Sequence, residues 1–183
     1  MESTLSNGHS AATMRKVILV GTAHKYQHLD STYVEQFRVI IRSLCQEHSV
    51  MAMAEEMSQY ALKKHGATQS VMQKLSAELG IRHQLSDPSK EEREQLGIRC
   101  YADIHRDGFI ADWEENRIEA EVRRSHDIRE HYWLEKLCEL NTWPIVFVCG
   151  KEHVEYFSNL LRNHEIRVVV AFTDWKPFRP DMD

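Results

Sequence analysis

A chain of 183 residues with 42% hydrophobic and 28% charged residues, and only 7 Gly and 4 Pro, can bury a sizeable core; collagen-like, low-complexity and wholly disordered classes are excluded. Lys+Arg 23 against Asp+Glu 28 leaves a net charge of −5, so the basic surface that binds a phosphate backbone is missing and nucleic acid is not an expected partner. The polar first 13 residues lack a basic start followed by an apolar stretch, and no window approaches the roughly 18 apolar residues of a membrane span; a soluble cytoplasmic protein without a membrane partner is expected.

Residues 1–13 read as a flexible tail, 14–176 as a single α/β domain and 177–183 as a loose C-terminal tail. Lys16–Val20 is a β-branched run closed by Gly21, the pattern of a strand buried on both faces. Asp30, Ser31 and Thr32 then offer helix caps. Val34, Phe37, Ile40, Ile41, Leu44 and Cys45 recur at helical spacing, which predicts a helix from Thr32 to Glu47. Ser49–Ala54 is the second strand and runs into Glu55 and Glu56. Gln59–His65 and Ser70–Leu79 are helical, the latter closed by Gly80. Ile81–Leu85 is the third strand, and Ser86-Asp87-Pro88 leads into a helical segment at Lys90–Gln95.

Residues 97–110 carry no decisive pattern. Asp112–Leu140 contains no Gly or Pro, and its apolar stripe (Trp113, Ile118, Val122, Ile128, Tyr132, Leu137, Leu140) predicts one long helix or two consecutive ones. Pro144 ends it. Ile145–Cys149, Glu152–Asn163 and Arg167–Phe172 complete the series as strand, helix and strand. This alternation predicts an α/β fold: a mostly parallel sheet of about five strands, helices on both faces, and one long helix before the fourth strand. The four cysteines form no C-x-x-C pair; Cys45, Cys138 and Cys149, inside apolar runs, are expected to be reduced core residues.

Ligands of open parallel sheets bind beyond the C-terminal strand ends. The residues there are His24, Glu55 and Glu56, Asp87, and His153. His24 and His153 each follow a strand-ending glycine by three residues. Two imidazoles and a carboxylate can hold a divalent ion such as Zn, Mn or Co with a position left for water. The same groups can activate water without metal. The plainer alternative is that each histidine caps a helix or bonds a loop carbonyl. Because neighbours on an extended chain point to opposite sides, only one of Glu55 and Glu56 faces such a site, and Glu55 is the preferred one. Asp87 is also an ordinary helix N-cap by local rules. Arg129 and Glu130 lie on the long helix near Trp133, where an arginine beside an apolar stripe can reach a buried carboxylate or an anionic substrate group.

Val17–His24 (strand-G-T-A-H), Val50–Glu56 (strand ending in an acid) and Ile145–Val154 (strand-C-G-K-E-H-V) together resemble the erythromycin esterase-like / TraB / TIKI / ChaN group of proteins. The resemblance implies a hydrolase-like fold with His24, Glu55 or Glu56, and His153 as the working centre. It also implies metal-dependent proteolysis, metal-free ester hydrolysis or haem binding, according to the member. The expectation is a hydrolase in which His24, Glu55 and His153 act on water, with Asp87, Arg129 and Glu130 on the substrate. His24, Glu55, Glu56 and His153 are the candidate metal ligands. The water would attack an ester, amide or phosphoester in a small molecule or peptide. A non-catalytic small-ligand or haem pocket lined by Trp113, Tyr132, Trp133, Trp143 and Trp175 is the alternative. The long helix also offers a surface for a homodimer.

Overall fold

A computed structural model describes residues 14–26 and 33–178. The elements are β1 (Lys16–Thr22), α1 (Val34–Glu47), β2 (Ala52–Glu55), α2 (Gln59–Lys64), α3 (Val71–Leu79), β3 (Arg82–Leu85), α4 (Lys90–Leu96), α5 (Tyr101–Ile110), α6 (Glu115–Leu140), β4 (Ile145–Gly150), α7 (Val154–Asn163) and β5 (Arg167–Trp175). Short 3-10 turns at His24–Tyr26 and Lys151–His153 follow β1 and β4. The five strands form one sheet in the order β3-β2-β4-β1-β5, and every pairing is parallel.

Alternation along the strands divides the core in two. Val17, Leu19, Ala54 and Phe147 face α6 and α7, meeting Trp133, Leu137, Phe157 and Leu161. Ile18, Val20, Met53 and Val148 face α1 and α3, meeting Phe37, Ile41, Met72 and Leu75. Each of the buried Val, Leu, Ile, Phe and Met side chains contributes roughly 1.5–3 kcal/mol. Strands buried on both faces explain why their sequences read as unbroken apolar runs.

β1 continues through Gly21 to Thr22 instead of ending at the glycine. A Cβ on Gly21 would lie 2.3 Å from the Thr173 carbonyl oxygen and 2.3 Å from Val154 Cγ2, so close approach of β5 and α7 demands glycine here. β2 begins at Ala52, later than expected, because Ser49 turns the chain with φ 50°. Residues 101–110, left open by the sequence pattern, form α5. The long helical stretch is one helix, α6. The caps expected at Asp30–Thr32 lie outside the described residues, as do most of both expected tails. Pro177 is buried and Phe178 exchanges two backbone hydrogen bonds with the Gln36 side chain on α1, so the chain is held beyond residue 176. Cys45 and Cys149 are buried, but Cys138 is exposed, since it falls on the outer side of α6.

Strand order also positions the loops beyond β1 and β4. β1 and β4 are neighbours, yet the helix after β1 packs on one face and the helix after β4 on the other. Neighbouring strands whose connections leave to opposite faces open a crevice at their C-terminal ends. His24 follows β1 and His153 follows β4.

Candidate functional site

Glu56 is the residue around which the site is built. Its backbone N–H donates to the Val148 carbonyl at 2.8 Å, which extends the β2–β4 ladder by one residue and places the side chain on the α6 face, like Ala54. The carboxylate is buried. Oε2 accepts the Gly150 N–H at 2.7 Å, and Oε1 accepts from Arg129 Nη2 at 2.7 Å. His24 Nε2 lies 3.6 Å from the same Oε1, and His153 Nε2 lies 3.7 Å from it. Burial alone would raise this carboxyl's pKa; Arg129, His24, His153 and the Gly150 N–H outweigh it and hold the group well below the usual carboxylate range.

The two histidines differ in access. His24 is half exposed, with 45% of its side chain open, whereas the His153 side chain is 1% exposed. His153 Nδ1 is 2.7 Å from Glu130 Oε1, and Glu130 is in turn paired with Arg123. The His153 ring packs edge-on to Trp133 at 4.8 Å and against His126 at 4.3 Å. Its Nε2, facing Glu56, has no hydrogen-bond partner among the described residues. Burial first, then the nearby His153, Arg123 and Arg129 charges, push His126 down to about 4.

Asp87 holds the arginine in place. Its Oδ1 accepts from Arg129 Nε at 3.0 Å, Arg129 Nη2 at 2.7 Å and Trp133 Nε1 at 3.2 Å, while Oδ2 accepts from Arg93. Asp87 therefore does not cap α4. Ser89 does, its hydroxyl accepting the Glu92 N–H and the Glu92 side chain reaching back to the Ser89 N–H. Arg129, clamped between Glu56 and Asp87, is driven above its ordinary pKa; burial opposes this, and the two carboxylates prevail.

Glu55 lies apart from this group. As its strand neighbour points to α6, Glu55 points with Met53 toward α3, where Oε1 accepts from the Ser70 hydroxyl and contacts His83 Nε2 at 2.8 Å. The structure thus brings together His24, Glu56, Asp87, Arg129, Glu130 and His153, and leaves out Glu55. Glu130 touches His153 and does not line the cleft. His126, Arg123 and Ser86 were not singled out by the sequence. Arg123, His126 and Glu130 share helical spacing with Trp133, which was a usable signal. Ser86, buried with its hydroxyl unpartnered, follows the Glu55–Leu85 register and so shares the Glu56 face.

A cleft of about 280 Å³ opens over these groups, lined by His24, Glu56, Met57, Ala61, His65, Asp87, Arg93 and Arg129. The aromatic residues expected around a ligand are elsewhere: Trp133 and Trp143 in the α6-side core, Trp175 in the α1-side core. Two imidazole nitrogens and Glu56 Oε1 are donors of the right types for a divalent ion. However, the Arg129 guanidinium already binds that oxygen, and no group of three His, Cys, Asp or Glu side chains among the described residues is arranged to hold a metal. Apart from any ion, these side chains present an imidazole in an open cleft, backed by a carboxylate kept ionised by a buried arginine.

Comparison with protein-family models, with curated proteins and with solved structures gives no match to this chain.

Proposed function

We propose that this chain is a metal-free hydrolase that activates water on His24 for attack on an ester, amide or phosphoester in a small-molecule or peptide substrate. The observation that carries the reading is the shared oxygen: Glu56 Oε1 faces Nε2 of both His24 and His153 at 3.6 and 3.7 Å, beside a cleft into which His24 is exposed. The resemblance of the two G-x-x-H segments and the intervening acid to hydrolases of the erythromycin esterase-like group points the same way.

His24 is the histidine a substrate can touch. With its Nε2 proton toward Glu56, its other nitrogen is free to take a proton from water, and the anionic Glu56 stabilises the imidazolium that results. Hydroxide then bonds to the carbonyl carbon or phosphorus, and the leaving group departs with the proton returned by His24. Arg129 keeps Glu56 ionised throughout. His153, fastened by Glu130, faces the far side of Glu56 and acts as a positioning residue.

The test is a panel of p-nitrophenyl esters, mono- and bis-p-nitrophenyl phosphate, and chromogenic peptide amides. The expected result is turnover of at least one probe by the wild type and a loss of about 100-fold or more in kcat/KM for His24→Ala, with circular dichroism unchanged. No turnover of any probe, or an equally active His24→Ala, overturns the reading.

A further inference from the structure

Every carboxylate oxygen of Glu56 and Asp87 already accepts at least one hydrogen bond. Asp87 Oδ1 accepts three hydrogen bonds and Oδ2 a charged one; Glu56 Oε1 accepts from Arg129 and Oε2 from the Gly150 N–H. Both side chains are 3% exposed or less. Arg93 differs: 29% of its side chain is open, Nη2 and Nε are bonded to Asp87 and the Pro88 carbonyl, and Nη1 donates to nothing among the described residues. Beside the His24 imidazole, a ligand entering the cleft therefore meets the N–H donors of Arg93.

Arg93 also stands at a junction. A second cleft of about 390 Å³ shares Ala61, His65 and Arg93 with the first, and brings Lys64 and Lys90. Its acids are engaged as well, Glu94 near Lys90 at 3.8 Å and Asp103 with Arg106 at 2.8 Å. Lys64 is exposed and has no ion-pair partner among the described residues. The two clefts adjoin along Ala61, His65 and Arg93, with His24 lining the first, Lys64 the second and the half-engaged Arg93 between them, and we read the two together as one groove.

We propose that this groove binds an elongated substrate carrying an oxyanion, a phosphate or a carboxylate, with Arg93 as the anion-anchoring residue and Lys64 as a second cation. A guanidinium presents parallel N–H donors that match either group, and one arm already locked on Asp87 reduces the ordering cost of binding. The assignment deepens the hydrolase reading and rests on it for the position of the bond cleaved, but binding is measured separately from turnover.

The experiment is isothermal titration of the full chain with inorganic phosphate and, in parallel, with succinate, at fixed ionic strength. Wild type is compared with Arg93→Gln, Lys64→Gln and Arg42→Gln, the last being a charge-matched change on α1. The expected result is saturable binding of at least one anion, weakened about tenfold or more by Arg93→Gln, a few-fold by Lys64→Gln and not at all by Arg42→Gln. The tighter anion identifies the class. Lys64→Gln, at an exposed position, keeps the test decisive should Arg93→Gln not fold. No saturable binding of either anion, or equal weakening by Arg42→Gln, overturns the proposal. Anion binding without hydrolysis of any probe overturns only the hydrolase reading, and hydrolysis without anion binding overturns only this one.

Discussion

Glu55 and Glu56, consecutive in the chain, send their carboxylates to opposite faces of the sheet: Glu56 to Arg129 on α6 at 2.7 Å, Glu55 to Ser70 and His83 on the α3 side. Two isosteric changes one residue apart therefore have different consequences. Glu56→Gln removes the charge that faces a buried arginine and two histidines; unfolding in urea is expected to show a loss of about 3 kcal/mol, and hydrolysis is expected to disappear. Glu55→Gln is expected to cost about 1–2 kcal/mol through its hydroxyl and imidazole partners and to leave turnover in place. The reverse ranking of activities would place the working carboxylate on the other face.

The two histidines separate stability from activity. His24 is half exposed, so His24→Ala is expected to change stability by no more than about 0.5 kcal/mol while removing turnover. His153 is packed against Trp133 and His126 and bonded to Glu130, so His153→Ala is expected to cost about 2–4 kcal/mol as well as activity. Thermal melts of both variants beside the probe assay check this pair of outcomes.

Acid is expected to destabilise the fold in two stages. His126, faced by His153, Arg123, Arg129 and Glu130, has a folded pKa of about 4 against an ordinary 6.5. Between these values the unfolded chain binds the additional proton, so stability falls as pH drops through this window, by an amount on the order of 1 kcal/mol given its partial exposure. Glu56 adds a second loss: its folded pKa is depressed, so its contribution is present above 4.5 and declines as pH falls below it. Urea midpoints from pH 7 to pH 4 for wild type and His126→Gln provide the comparison; the variant is expected to show a flatter profile above pH 4.5.

Chelators are expected to have no effect on turnover. The Glu56 oxygen a divalent ion would need is bonded to Arg129, a permanent cation. Dialysis against EDTA followed by the probe assay, with metal content of untagged protein measured beside it, decides the matter. One tightly held ion per chain, with activity lost on its removal, would show that Arg129 leaves the oxygen in the working state.

Several elements were legible because their signals are local. Ser70 with Gln73 and the closing Gly80 mark both ends of α3, and the structure has the capping box and a left-handed Gly80. Other features were not. Asp87 is an N-cap by neighbourhood alone, but Ser89 is a competent cap two residues later, which freed Asp87 for Arg93 on α4 itself and for Arg129 on the distant α6. The stripe on α6 was read from apolar residues only. Its buried side also contains Glu130 and Ser125, because buried polar groups with partners can occupy core-facing positions. α5 lacked a strong stripe because only Ile104 and Gly108 of it are buried.

The amino-acid sequence by itself determined the α/β class, five strands of which four are apolar runs, and the presence of histidines and acids just beyond them, because side-chain periodicity and glycine breaks act within a few residues. Its preference for Glu55 over Glu56 had no local warrant, and the structure places Glu56 beside Arg129, His24 and His153 instead. Alternation says only that they diverge, and which face carries Arg129 and His153 depends on where α6 and α7 pack. Tertiary structure decided that, and it also decided the strand order that makes β1 and β4 neighbours and brings His24 and His153 to one carboxylate oxygen. Strand order is set by burying two apolar faces at once between helices far apart in the chain, a long-range requirement that no local pattern records.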